Sequence, residues 1–173
     1  RPFFLEGLDI FKTPLEVFYS RAVVNPLAGT KLTGTTGKWQ IGTLSALDES
    51  PAESTIQSNY FTGEERNSWD SDDTDGALAL TDIVRGRRTI REGQNFGFIY
   101  ADKQLFNDNT RLSNRVVGID MNTRIGERYT LETQLLGSDT SQSDGDSMRD
   151  AAWSVELERK STSLSVELEH SYF

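Results

Sequence analysis

The chain has 173 residues, of which 35% are hydrophobic, 10% aromatic and 26% charged. That is enough length for one unit with a real core, and too much apolar and aromatic content for a disordered chain. A net charge of -9 and a pI near 4.6 argue against a nucleic-acid partner, because phosphate binding needs clustered Lys and Arg; cationic partners fit better.

Absence of cysteine and a single histidine, His170, exclude a disulfide framework and any thiolate or His-rich metal site. No cofactor is expected. No uninterrupted apolar stretch reaches helix-spanning length, which excludes transmembrane helices. The mean hydropathy of -0.53 resembles that of a water-soluble protein. A transmembrane barrel alternates lipid-facing with lumen-facing residues and averages to a similar value.

In chain order, the first candidate strand is Leu15 to Val24. Ala28 to Gly34 follows and turns through Thr35-Thr36-Gly37-Lys38 into Trp39-Gln40-Ile41-Gly42-Thr43-Leu44. A less clearly phased strand runs from Ala77 to about Arg88, and another lies around Phe96, Phe98 and Tyr100. Val117, Ile119 and Met121 then oppose Gly118, Asp120 and Asn122. Ile125-Gly126-Glu127-Arg128 links them to Tyr129, Leu131, Thr133 and Leu135, opposed by Thr130, Glu132 and Gln134. In the last third Trp153, Val155 and Leu157 alternate with Ser154, Glu156 and Glu158. A polar Arg159-Lys160-Ser161-Thr162 turn leads to Leu164, Val166 and Leu168, opposed by Ser163, Ser165, Glu167 and Glu169. Each is a strand with two unlike faces. The sum is about nine strands, each near the ~9–11 residues that a tilted strand needs to cross a membrane.

Short links at Thr36-Gly37, Gly126-Glu127 and Lys160-Ser161 alternate with longer polar ones at 48–76, 106–113 and 138–150. Short turns at one rim and long loops at the other are the habit of outer-membrane barrels. The expected fold is therefore all-β: an antiparallel up-and-down transmembrane β-barrel in the bacterial outer membrane, with the lipid bilayer as partner. Residues 1–14 would form the entry and 15–173 the strands. A soluble β-sandwich also has short alternating strands. Carboxylates at successive polar-face positions, and Trp39, Tyr129, Trp153 and Tyr172 near strand ends, favour the barrel with its wet lumen and aromatic girdles.

The run Arg1-Pro2-Phe3-Phe4-Leu5-Glu6-Gly7-Leu8-Asp9-Ile10-Phe11, followed by Leu15-Glu16-Val17-Phe18-Tyr19-Ser20-Arg21 and Gly29-Thr30-Lys31-Leu32-Thr33-Gly34, resembles a bacterial outer-membrane barrel family of unassigned function. In that family the barrel follows a module resembling carbohydrate-binding module family nine. The resemblance implies a barrel entry near the N-terminal run, with Asn114 to Phe173 matching more loosely. It lends no glycan function to these residues, because that module is absent from them. Phe173 falls on the Glu167 and Glu169 side rather than in the Leu164, Val166, Leu168 row, so a partial barrel, the N-terminal part of a larger one, is expected. Single-chain bacterial barrels have even strand numbers, which an apparent nine also fails to meet.

The candidate lumen-facing residues are Asp120, Glu132, Glu156, Glu158, Glu167 and Glu169; a ring of carboxylates attracts cations and repels anions. A polar face that only needs to be hydrophilic would carry the same residues. Asp70, Asp72, Asp73 and Asp75 before Gly76 superficially resemble a calcium loop, but the spacing puts Ser71 at the first ligand position and no helices flank it. An acidic external loop without metal is expected. No Gly-x-Ser-x-Gly elbow occurs, His170 falls on the Leu168 and Tyr172 side, and the same-face Glu156 and Glu158 are explained by a polar lumen as well as by glycoside hydrolysis. The expected function is non-enzymatic: a channel or transporter for a small solute or glycan, or a membrane platform for an attached soluble domain. The alternatives are an assembly subunit that pairs with other outer-membrane subunits, and a soluble carbohydrate-binding β-sandwich.

Overall fold

In a computed structural model of the chain, the described residues are 8–17, 23, 25–49, 77–106, 111–141, 147–160 and 165–172. They contain eight strands: β1 Pro26–Thr36, β2 Trp39–Asp48, β3 Leu78–Arg91, β4 Gln94–Phe106, β5 Arg111–Ile125, β6 Tyr129–Ser141, β7 Ser147–Lys160 and β8 Ser165–Tyr172. All eight form one sheet in chain order, each strand antiparallel to the next. This is the up-and-down meander of a barrel, open between β1 and β8 among the described residues. It corrects the sandwich alternative, since among the described residues no second sheet packs on the first. Among them, too, no helix is long and apolar enough to cross a membrane, which says nothing about crossing by strands.

Three tight turns lie at one rim, and each contains a glycine in the left-handed region: Gly37 at φ 58, Gly93 at φ 70 and Gly126 at φ 65. Only a residue without Cβ adopts that region freely, which is why these positions close two-strand hairpins. At the opposite rim β6 and β7 run further than their apolar alternation predicts. Ser138 and Asp139 pair with Asp150 and Arg149, and Arg149 Nε donates to Asp139 Oδ2 at 2.7 Å. Polar cross-strand pairs thus continue the ladder into the expected 138–150 loop, leaving 142–146 outside the described residues.

The register sorts side chains onto two faces. Ile41, Gly86, Phe98, Ile119, Leu135 and Trp153 share the outer face through successive pairings. Most of that face is exposed: Ile119 by 48%, Leu135 by 53% and Val117 by 52%. A sheet in water would bury such a face; a sheet in lipid gains by exposing it, roughly 25 cal/mol per Å².

The inner face is covered in part by the chain itself. Leu8–Phe11 forms a short 3-10 turn, and Phe11 and Val23 join Leu44, Ala46, Ile83 and Ile99 in one buried cluster, with Ile10 and Val17 against it. Gly42 makes room: a Cβ there would meet Ile10 Cγ2 at 2.8 Å and Phe11 Cζ at 3.0 Å. Leu15 N–H donates to the Gln134 side-chain oxygen at 2.5 Å, which carries the segment across to β6. The ninth candidate strand, Leu15 to Val24, is accordingly not seen as one. Leu15–Val17 and Val23 lie outside any strand, and the remainder lies outside the described residues. Val17 and Val23 serve docking on the inner face rather than a sheet ladder.

Candidate lumen-lining site

The inner face of β3 to β5 carries basic residues and that of β6 to β8 carries acidic ones. Arg85, in the middle of β3, is only 1% exposed. Its guanidinium grips Asp120 with both ends, Nη1 to Oδ2 at 2.5 Å and Nη2 to Oδ1 at 2.9 Å. Its Nε donates to the carbonyl of Ile10 at 3.3 Å. The pair lies over Gly97, where a Cβ would stand 2.5 Å from Arg85 Nη1 and 2.8 Å from Asp120 Oδ1. Asp120 lies on the inner face, as the alternation predicts, and is held there by Arg85. It balances an arginine that sequence reasoning missed, and its pair ties the N-terminal segment to the sheet. Arg87, on the same face, donates from Nε and Nη2 to the side-chain oxygen of Gln40 at 3.0 and 2.6 Å.

Arg87, Gln40, Asp9, Ile10 and Thr33 line a small cleft of about 260 Å³. At its mouth Asp9 and Lys12 pair at 2.8 Å on the exposed side of the turn. The Lys12 hydrogen bond holds the Asp9 carboxyl below its ordinary range, and the same contact raises the Lys12 ammonium.

The glutamates of β6 to β8 fall into rows. Glu132 stands opposite Glu156, and Glu156 opposite Glu169; one step along, Thr130 stands opposite Glu158 and Glu158 opposite Glu167. Glu132 accepts a hydrogen bond from Asn122, its partner on β5. Glu132, Glu156 and Glu158 are half-buried; the side chains of Glu167 and Glu169 lie outside what is described, and their backbones place them in the rows. Like charges directly opposite each other across strands repel. Beside the rows, Gln134 and Ser154 face each other at 3% and 5% exposure, and Gln134 Nε2 and Ser154 Oγ have no protein partner among the described residues.

Asp70, Asp72, Asp73 and Asp75 lie outside the described residues; among those described no cluster of metal-binding side chains forms. His170 is on the outer face, as its position in the strand predicts, with its ring stacked on Trp153 at 4.7 Å and 7°.

No family model matches the chain, and no curated protein matches it in sequence. Solved structures do match in fold. OmpT, an outer membrane protein of Vibrio cholerae, in its in-vitro folded trimer form, is similar with a TM-score of 0.59 at 13% identity, over 82% of this chain and 43% of that one. A loop-deletion mutant of OmpT gives 0.60 at 14% identity, over 82% and 46%. The chain thus spans less than half the length of the structures it matches. The likeness is one of fold, and together with the exposed apolar outer face it agrees with the outer-membrane location expected from strand patterning: the chain has the fold of bacterial outer-membrane β-barrel proteins.

Proposed function

We propose that this chain forms part of an outer-membrane channel in which small cationic solutes pass along the glutamate rows of β6 to β8. The observation that carries this reading is the Glu132, Glu156, Glu169 row beside Glu158 and Glu167. Successive carboxylates on a half-buried inner face favour cations and disfavour anions. Gln134 and Ser154 support it, because buried polar atoms without protein partners need water or a solute to satisfy them. On the basic side of the inner face Arg85 is neutralised by Asp120. The reading assigns no catalytic step.

The test is the reversal potential of the full chain in planar bilayers under a salt gradient. The wild type is expected to pass cations several-fold better than anions, and the triple variant E132Q/E156Q/E158Q to fall towards no preference. A wild-type ratio near unity removes the selectivity assignment.

A second reading is supported by Ile10 and Phe11 on the inner face, which narrow the space beside β2 to β4. In it the barrel is a membrane platform for an attached soluble domain, such as the carbohydrate-binding-like module implied by the sequence resemblance. A chain that inserts but never conducts, and that co-purifies with another subunit in fixed ratio, favours the platform.

A further inference from the structure

The two rims of the sheet treat their arginines differently. At the long-loop rim they are paired: Arg149 with Asp139 at 2.7 Å and Arg115 with Asp102 at 3.7 Å. At the short-turn rim Lys38, Arg88, Arg91, Arg124, Arg128 and Arg159 gather around turns that hold Glu92 and Glu127. Among the described residues none of these cations forms an ion pair with a carboxylate. Lys38 and Arg124 reach only backbone carbonyls, of Ile90 at 3.4 Å and Glu127 at 3.1 Å. In a chain of net charge -9, such a gathering is not forced by composition.

Two of the cations lie over aromatic rings of the outer face. The Arg88 guanidinium is 5.7 Å from the centroid of Trp39, and that of Arg159 is 5.9 Å from the centroid of Tyr129. Trp and Tyr at strand ends mark the level of lipid headgroups, and Ile41, Ile90 and Ile125 beside them belong to the exposed apolar face. A guanidinium over such a ring can turn its terminal N–H groups to a phosphate oxygen pair; Arg159 Nε itself is buried and has no hydrogen-bond partner among the described residues.

We propose that the short-turn rim binds the phosphates of anionic glycerophospholipids, with Arg88 on Trp39 and Arg159 on Tyr129 as its two clamps. The apolar face takes the acyl chains of the same lipids, so headgroup and tail contacts are continuous. Short turns face the periplasm in outer-membrane barrels, which assigns the site to the inner leaflet. The inference rests on the membrane fold and not on conduction.

The chain has three tryptophans, so W69F/W153F leaves Trp39 as the only indole reporter. In vesicles of phosphatidylcholine doped with headgroup-labelled quencher lipid, labelled phosphatidylglycerol is expected to be enriched about fivefold over labelled phosphatidylcholine beside Trp39, the effect of one basic residue at a membrane surface. R88Q abolishes the enrichment, R88K weakens it, the long-loop R149Q retains it, and about 1 M salt, with its ~3 Å screening length, removes it. Heat-modifiable gel mobility verifies that each variant is folded. Equal quenching by the two lipids in the folded wild type overturns the proposal. So does loss of the preference on adding inorganic phosphate but not chloride at equal ionic strength, which would identify a free-anion site.

Discussion

Replacing Arg85 by alanine is expected to lower the unfolding free energy by about 3–5 kcal/mol, because it strands a buried carboxylate without its partner. Asp120 is 12% exposed at its side chain and has no other ion pair or side-chain donor among the described residues. The loss is read from urea unfolding of the full chain folded into phospholipid vesicles. The double substitution R85L/D120L recovers most of it, since replacing both members of a buried pair by apolar groups of similar size is close to neutral. G97V acts on the same pair from below, since its Cβ would lie 2.5 Å from the guanidinium. If R85A and R85L/D120L are equally destabilised, the cost lies in packing and not in the stranded charge.

The second large effect is on the outer face. I119R places a cation in the middle of the exposed apolar row formed with Phe98 and Leu135. A charge at the lipid-facing midplane of a barrel costs about 2–4 kcal/mol. T130R, on the inner face opposite Glu158, is expected to change stability by less than about 1 kcal/mol, as a substitution in a polar setting does. The contrast between two arginines on one strand pair separates the faces without reference to conduction.

Much of this architecture is legible in the residues. Val117, Ile119 and Met121 alternate with small and polar neighbours, and that period survives folding because each face meets one solvent along the whole strand. The tight turns are legible for a similar reason, since Gly37 and Gly126 are required by backbone geometry alone. Arg85 is not legible in the same way. It sits where the phase of Ala77 to Arg88 is blurred, and its partner is 35 residues away on the far side of β4. Asp120 consequently reads as one more wet carboxylate. Val17 and Val23 mislead for the opposite reason: they fall in a run that alternates like a strand, yet their apolar side chains are used to dock a segment on the inner face. The glutamate rows are half legible. Each glutamate's face follows from alternation, but the rows depend on register, which is fixed only when the strands pair.

The most direct test of the membrane-barrel account is a thiol scan of the full chain in vesicles, possible because it contains no cysteine. Single spin labels at V117C, I119C, L135C and V155C are expected to collide preferentially with lipid-soluble oxygen. Labels at N122C, T130C and S138C are expected to collide preferentially with an aqueous nickel chelate. Equal collision with both reagents at the two sets of positions, or a chain that is folded and monomeric in buffer without lipid or detergent, would contradict the account.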